Sequence, residues 1–251
     1  MKITILCENQ AGHDNARVCL AEWGFSAFIE VHGVSILLDS GHTDVYMKNA
    51  LNLGINLENT DFAVLSHHHW DHIGGFTRNN FPSGKRLIMH PDVKDKIAPE
   101  DAKKLEADFL ITESSVPLEI AKNIFFLGEI PRTNSFETGT HKGAVMTDDS
   151  AIAVKTDKGA IVITGCSHSG ICNICEYAKR VTGQNLYAVI GGFHLFSENM
   201  EVVESTVSYF KEEKIPQLYP MHCLDLPVLT RFYSEFGIKK LCAGDSLELQ
   251  L

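Results

Sequence analysis

The chain has 251 residues, of which 44% are hydrophobic and 22% are charged, and its formal net charge is −10. This composition is ordinary for a globular protein with a sizeable core. The negative charge, with no run of Lys or Arg to offset it, argues against a nucleic-acid partner. No segment approaches the roughly 18 consecutive apolar residues that span a bilayer, so we expect no membrane partner either.

The seven cysteines are scattered along the chain, and the N-terminus resembles a first β-strand more than a secretory signal. An odd number of cysteines in a chain of this size provides no disulfide framework and indicates a reducing cytoplasm. The sequence leaves open whether the protein forms a homo-oligomer.

In chain order, short β-rich runs come first, and strands then alternate with helices. Strands are predicted at 3–7, 26–31, 35–38, 61–66, 86–89, 124–127, 150–155, 160–164, 186–190, 217–220 and 239–242. Helices are predicted at 45–53, 91–106, 171–181, 202–211 and 227–236. Two β-rich halves with helices outside predict an α/β fold, a four-layer αββα sandwich of two mixed sheets. We expect one domain over 1–251 with pseudo-halves of about 1–115 and 116–251, because neither half has helices enough to cover both faces of its own sheet.

The most informative segment follows the predicted strand at 61–66 and contains four metal-competent side chains, His67, His69, Asp71 and His72. Side chains two residues apart on extended backbone point the same way, so His67 and His69 can share one ion. If a helix begins at Asp71, the turn directs Asp71 and His72 to a neighbouring position. Imidazole nitrogen and carboxylate oxygen suit zinc, and also manganese or iron. A histidine-rich surface loop is the alternative, and it leaves the placement of four such groups at one strand end unexplained.

This His-x-His-x-Asp-His segment resembles the signature motif of the metallo-β-lactamase superfamily. The resemblance implies two divalent metal ions, with zinc preferred and manganese, iron or magnesium as alternatives. It implies that the first two histidines bind one metal with a distal His, and that the Asp and last His bind the other with a final distal His. It gives Asp39 a supporting role, and it places Cys166 where a bridging Asp is usual, as a bridging ligand or a support for the ligands.

Two histidines near later strand ends complete the ligand set that the resemblance implies. His168 is preferred as the third ligand of the first metal, and His141 is its rival, in a Gly-Thr-His-Lys-Gly segment typical of a flexible loop. His222 follows the predicted strand at 217–220, where the last ligand of the superfamily belongs. We assign it to the metal of Asp71 and His72.

Asp71 and His194 are the candidate catalytic residues. His194 follows the paired glycines Gly191 and Gly192 at another strand end, where they would let the backbone face a cavity. We predict that His194 binds substrate or donates a proton. Metal ligation and a buried structural histidine are the alternatives for His194.

Three further residues are candidate substrate contacts, Glu8, Asn9 and Ser167. Glu8 and Asn9 end the first strand at the face where the metals are expected. Ser167 and Ser169 precede the helix at 171–181, whose N-terminal N–H groups could hold a phosphate. Ordinary N-capping by Ser169 is the alternative.

Four segments together resemble one subfamily, that of the dihydropterin-ribofuranosylaminobenzene 5′-phosphate synthases. They are Glu8-Asn9-x-Ala11-Gly12, the segment from Ser66 to Gly75, Thr164-Gly165-Cys166-Ser167-His168-x-Gly170-Ile171 and Gly191-Gly192-Phe193-His194-Leu195. Two places depart from the subfamily pattern: His68 replaces a more usual Gly, and Cys223-Leu224-Asp225 replaces a small-residue turn.

Two metals that activate a water molecule support hydrolysis, and they also support stabilisation of a departing pyrophosphate. The predicted function is therefore a metal-dependent hydrolase that acts on a small, anionic, phosphorylated substrate. The resemblance implies an alternative, a transferase that joins a dihydropterin diphosphate to an aminobenzene ribosyl phosphate and releases pyrophosphate. A non-catalytic metal- or ligand-binding sensor is the lesser alternative, because a pure binding module would not need both metal positions.

Overall fold

A computed structural model describes residues 1–12, 19–141 and 143–251, with the side chain of His141 outside the described part. The chain forms two compact units. The first comprises Met1–Ser115 and Leu241–Leu251, and the second comprises Val116–Lys240. The units divide close to the predicted boundary of the halves, but the C-terminal segment belongs to the first unit. A single domain over the whole chain stays a prediction.

The first unit contains a seven-stranded mixed sheet. Its strands are β1 (Lys2–Cys7), β2 (Ser26–Val31), β3 (Val34–Leu38), β4 (Phe62–Val64), β5 (Lys85–Met89), β6 (Phe109–Glu113) and β15 (Ser246–Glu248). Its helices are α1 (Val45–Leu53), α2 (Trp70–Arg78), α3 (Val93–Lys96) and α4 (Pro99–Asp108). The spatial order is β15-β1-β2-β3-β4-β5-β6, in which β3 to β6 are parallel and the other pairs are antiparallel.

The second unit contains a six-stranded mixed sheet and a small hairpin. The sheet strands are β7 (Leu118–Ala121), β8 (Ile124–Phe126), β11 (Ala151–Thr156), β12 (Gly159–Thr164), β13 (Leu186–Gly192) and β14 (Gln217–Met221). The hairpin pairs β9 (Thr140–His141) with β10 (Ala144–Val145), and the helices are α5 (Ile171–Thr182), α6 (Met200–Glu213) and α7 (Leu226–Phe236). The order is β14-β13-β12-β11-β8-β7, in which β12, β13 and β14 are parallel.

The predicted class, α/β with two mixed sheets and helices, is confirmed. The predicted strand at 239–242 is wrong, although Leu241 is buried as a strand residue would be. The reason is a local turn in which the Cys242 N–H donates to the Asp245 carboxylate at 2.9 Å. The last strand is β15, which pairs with β1.

Each unit has its own apolar core. Tyr46, Phe76 and Leu87 are among the buried residues of the first core, and Ile174 and Phe232 are among those of the second. Within the described part of the chain, no helix has both the length and the apolar character needed to cross a bilayer.

In both units the parallel strands carry polar side chains at their carboxyl ends. Asp39 follows β3 and His67 lies shortly after β4, whereas His168, His194 and His222 come after β12, β13 and β14 in turn. Ligands of α/β sheets bind outside this edge of the sheet. The topology therefore positions the predicted site residues of each unit at the edge where a ligand is expected.

The N-terminus of α5 is occupied by a side chain of the chain itself. The Glu137 carboxylate accepts the N–H groups of Cys172 and Asn173, both at 2.9 Å. Ser169 does not cap the helix, because its backbone N–H and its hydroxyl both donate to Asp149. The predicted phosphate site at this helix end and the alternative cap by Ser169 are therefore both wrong. Burial raises the pKa of Glu137, while the hydrogen bonds from α5 oppose that rise.

We expect Glu137→Ala to lower the free energy of unfolding by about 1–3 kcal/mol, because the buried N–H groups of α5 lose their acceptor. Urea unfolding followed by circular dichroism would measure the change. The control is Glu212→Ala, an exposed glutamate on α6, for which the expected change is within about 0.5 kcal/mol. Equal stability of the two variants would contradict the capping role of Glu137.

Candidate metal centre

A single buried carboxylate, that of Asp39, orients the histidine cluster of the first unit. Its Oδ2 accepts the Nδ1–H of His72 at 2.7 Å and the hydroxyl of Ser66 at 2.6 Å. Its Oδ1 accepts the backbone N–H of Ser66 at 2.7 Å. An ionised carboxylate only accepts hydrogen bonds, so Nδ1 of His72 carries the proton and Nε2 presents its lone pair.

Ser66 extends this orienting effect to His67. The Ser66 Oγ lies 2.9 Å from Nδ1 of His67. Since the hydroxyl proton is donated to Asp39, the oxygen accepts from Nδ1–H of His67, so that Nε2 carries the lone pair. The ring centroid of His67 lies 4.2 Å from that of His72 and 4.6 Å from that of His69. The structure thus brings together the three histidines that the motif predicted.

Asp71 lies in the first turn of α2, next to His72. Its Oδ2 is 3.8 Å from Nε2 of His72, and the side chain is largely buried. Its backbone carbonyl accepts the N–H of Phe25 at 3.1 Å, which holds the start of α2 against the entry to β2. The helix begins at Trp70, one residue before the position considered in the sequence. The change from extended to helical backbone inside the motif is confirmed.

Gly74 lets α2 lie directly on the loop that follows β3. A Cβ at Gly74 would stand 2.5 Å from the carbonyl oxygen of His42, and one at Gly75 would stand 2.3 Å from that of Ser40. Real Cβ atoms do not approach backbone so closely. Both glycines are therefore needed for this close approach of backbone to backbone.

In the second unit a sulfur atom connects three strand ends. The His194 N–H donates to the Cys223 Sγ at 3.2 Å, and the Cys223 thiol donates to the carbonyl of Cys166 at 3.4 Å. A Cβ at Gly192 would stand 2.7 Å from the same sulfur, and one at Gly191 would stand 2.1 Å from the Thr164 carbonyl. The paired glycines permit tight packing of the strand ends, and the expectation that their backbone faces a cavity stays a prediction.

Metal-competent groups of the second unit lie close to one another. Ligand atoms of Cys166, His222 and Cys223, all buried, lie within 4.8 Å of one another. The ring of His194 lies 4.1 Å from that of His168, and His194 is only partly buried. His194 therefore lies beside a predicted ligand with part of its surface open to solvent.

Four residues at these strand ends hold left-handed backbone, with φ of 56° at Asp39, 67° at Ser167, 50° at His194 and 61° at His222. A non-glycine residue in this region costs on the order of 1–3 kcal/mol and persists where the surrounding structure over-determines it. Seven such residues occur in the described part of the chain. Their concentration at the predicted site residues supports a functional role for both strand-end clusters.

The predicted substrate contacts make hydrogen bonds within their own unit. The Ser167 hydroxyl donates to the Gly192 carbonyl at 2.6 Å. Glu8 is fully buried, and its carboxylate accepts the N–H two residues along the chain at 2.7 Å. The side-chain oxygen of Asn9 accepts the Gly24 N–H at 3.2 Å. These bonds give each residue a structural role, and substrate contact stays a prediction for all three.

The choice between His168 and His141 also stays a prediction, because the side chain of His141 lies outside the described residues.

Sequence reasoning missed two polar contributors, Ser66 and Cys223. Each is adjacent in the chain to a predicted ligand histidine at a strand end. A small hydrogen-bonding residue next to such a histidine is the signal that could have identified them.

The donor set fits a divalent cation. Metal-competent side chains occur in each unit: His67, His69, Asp71 and His72 in the first, and Cys166, His168, His222 and Cys223 in the second. Imidazole nitrogen, carboxylate oxygen and thiolate sulfur are ligands that suit zinc or iron. Orientation of a ligand imidazole through its other nitrogen, as Asp39 does for His72, is typical of metal-binding histidines.

The model of the metallo-beta-lactamase superfamily matches residues 24–167, more than half of the chain. The chain belongs to the metallo-beta-lactamase superfamily. The predicted family is confirmed, and the matched region includes the whole His67–His72 motif. The two mixed sheets with helices agree with the metallo-beta-lactamase fold of similar solved structures.

Two relatives from Methanocaldococcus jannaschii extend the similarity over almost the whole chain. One is named 7,8-dihydropterin-6-methyl-4-(beta-D-ribofuranosyl)-aminobenzene-5′-phosphate synthase, is 30% identical, and aligns over 97% of this chain and 95% of its own. The other is an uncharacterized protein, which is 34% identical and aligns over 91% of this chain and 93% of its own. A similar solved structure is Tm1679, described as a metal-dependent hydrolase of the beta-lactamase superfamily. Its TM-score is 0.82 and its identity 28%, over 99% of each chain.

We expect Asp39→Ala to weaken divalent-metal binding by about 10- to 100-fold, because His72 and Ser66 lose the acceptor that orients them. Competition with a chromogenic chelator would measure the affinity for zinc. Asp61→Ala is the matched control, since Asp61 is exposed in the same unit and accepts the Ser35 N–H. Unchanged zinc affinity in folded Asp39→Ala would show that the carboxylate does not position the ligands.

Proposed function

We propose that the protein is a metal-dependent hydrolase that acts on a small, anionic, phosphorylated substrate. Its membership of the metallo-beta-lactamase superfamily supports metal-dependent chemistry. The observation that carries the proposal is the orientation of two imidazoles by the one carboxylate of Asp39, directly to His72 and through Ser66 to His67. This arrangement supports the proposal because it favours the tautomer in which Nε2 of each histidine can bind a metal.

The proposed ligands form two sets, with zinc as the preferred metal and manganese, iron or magnesium as alternatives. One set is His67, His69 and His168, and the other is Asp71, His72 and His222. Cys166 is proposed as a bridging ligand or a support for the ligands. Divalent ions bound there would supply Lewis acidity toward a phosphoryl oxygen and would lower the pKa of a bound water.

Two residues are proposed to take part in proton movement. The Asp71 carboxylate accepts a hydrogen bond from the attacking water and holds it in position. His194 donates a proton to the leaving group, a role that its partly exposed ring beside His168 supports. Substrate contacts by Glu8, Asn9 and Ser167 are part of the same proposal.

A second candidate function is the pterin synthase reaction, a transfer that releases pyrophosphate. The observation that favours it is the relative of that name, which is 30% identical over 97% of this chain. In this reaction the same groups would bind the diphosphate of one substrate. The departures at His68 and Cys223 concern the substrate and leave the six proposed ligand residues unchanged. A non-catalytic sensor is the lesser alternative.

We also propose a cytoplasmic location and a small-molecule partner for the protein. The described part of the chain has seven cysteines without a disulfide, as expected in a reducing cytoplasm. The net charge of −10 supports a small-molecule partner over a nucleic acid. A homo-oligomer remains open.

The two reactions can be separated with one preparation of metal-loaded protein. We expect hydrolysis of bis(p-nitrophenyl) phosphate, reduced by about 100-fold or more in His194→Ala and in Asp71→Ala. Asp71→Ala should also lower the metal content measured by elemental analysis, whereas the exposed control Asp95→Ala should change neither. Release of pyrophosphate from a pterin diphosphate only when the aminobenzene cosubstrate is present would favour the synthase. Absence of both activities in metal-loaded protein would refute both.

A further inference from the structure

The outer face of α2 carries an aromatic and cationic cluster that the proposed chemistry does not use. Trp70, Gly74 and Arg78 are spaced four residues apart, so they share one face of the helix. Trp70 is 52% exposed, and Arg78 is also exposed. We call Trp70, His42 and Arg78 the α2 outer cluster.

His42 fills the space above Gly74 between the other two members of the cluster. The backbone of residue 42 lies where a Cβ of Gly74 would be, 2.5 Å from the carbonyl oxygen. The His42 ring meets the Trp70 ring edge to face, with centroids 4.6 Å apart at 79°. The Arg78 guanidinium donates to Nε2 and to the carbonyl of His42. A guanidinium only donates, so His42 accepts at Nε2.

The loop that carries His42 is fixed before any ligand binds. The Glu22 carboxylate accepts the N–H groups of His42 and Thr43, both at 2.9 Å, and the Thr43 hydroxyl at 2.6 Å. Trp70 is likewise held by the first turn of α2. A surface that is ordered in advance loses little conformational freedom on binding, which favours a ligand site over a solvated face.

Charge and position indicate which ligand would bind there. Among the described residues, Arg78 forms no ion pair with an acidic side chain. A guanidinium with donors left over recognises phosphate oxygens, and an exposed indole face stacks with planar rings. Trp70 is also the residue between His69 and Asp71 in the chain, so the cluster begins at the same end of α2 as the proposed metal ligands.

We infer that the α2 outer cluster binds a planar aromatic ring that carries a phosphate group, with the ring on Trp70 and the anion on Arg78. The inference rests on the proposed function, because the ligand it describes is the phosphorylated substrate of that hydrolase. It narrows the substrate class from any phosphorylated small molecule to aryl or heteroaryl phosphates. His42 is a positioning residue that keeps the Trp70 ring and the Arg78 guanidinium in place.

The test uses the full-length, metal-loaded protein and three probes that it cannot hydrolyse. The probes are 4-nitrobenzylphosphonate, methylphosphonate, which lacks the ring, and 4-nitrobenzyl alcohol, which lacks the anion. Titration calorimetry gives their affinities. The two tryptophans, Trp23 and Trp70, allow a fluorescence test, because Trp23→Phe leaves Trp70 as the only indole to be quenched.

We expect the ring to improve phosphonate affinity by about tenfold or more, a preference that Trp70→Leu abolishes while methylphosphonate binding is unchanged. Arg78→Gln should weaken both phosphonates about tenfold, and Arg78→Lys should restore part of the loss. Saturable quenching should persist in Trp23→Phe. Trp23→Leu and Lys48→Gln are the matched controls, with unchanged affinities expected.

An undiminished ring preference in Trp70→Leu, or no ring preference in the native protein, would overturn the inference. The inference would also be overturned if Arg78→Gln bound the phosphonates as tightly as Lys48→Gln does. Metal content and phosphodiesterase activity are measured on the same samples. If the native protein holds metal and hydrolyses the diester but shows no ring preference, only the inference about the α2 outer cluster is refuted. A ring preference without metal or hydrolysis refutes the proposed function alone.

Discussion

The buried carboxylate of Asp39 is the constraint on which the first unit's site depends. A buried carboxylate is stable only if its oxygens accept hydrogen bonds, and Ser66 and His72 supply three of them. The same bonds fix which nitrogen of His72 points away from Asp39. Through Ser66, they also fix which nitrogen of His67 points away from the Ser66 hydroxyl. One requirement of burial thus decides the geometry of two candidate ligands. It is possible because β3 and β4 are parallel neighbours whose carboxyl ends lie side by side.

In the second unit a thiol, in place of a carboxylate, connects the strand ends by hydrogen bonds. There a thiol, Cys223, takes a hydrogen bond from one strand end and gives one to another. The strand ends must be close for one sulfur to touch both, and the paired glycines before His194 remove the side chains that would prevent this. Left-handed backbone at His194 and His222 is tolerated because well-packed parallel strands hold it. In both units a sheet edge supports strained residues for which we propose a role in the chemistry.

Helix α2 serves both the proposed metal chemistry and the proposed substrate surface. Asp71 and His72 belong to its buried side, whereas Trp70 and Arg78 lie on its exposed side. Gly74 connects the two roles, since its missing side chain allows the loop with His42 to approach the helix. A helix in this position can therefore hold ligands and contact substrate at the same time. A change at Gly74 would disturb both.

The sequence by itself determined the superfamily, the fold class and the core of the metal motif. These follow from local information, because the spacing of His67, His69, Asp71 and His72 and the alternation of strands with helices are readable along a single stretch of chain. The tertiary structure decided which distant group satisfies each buried polar atom. Asp39 reaches His72 across 33 residues, and Glu137 reaches the N–H of Asn173 across 36. The predicted strand at 239–242 failed for the same reason: a strand needs a partner, and hydrogen-bond partners depend on which segments end side by side.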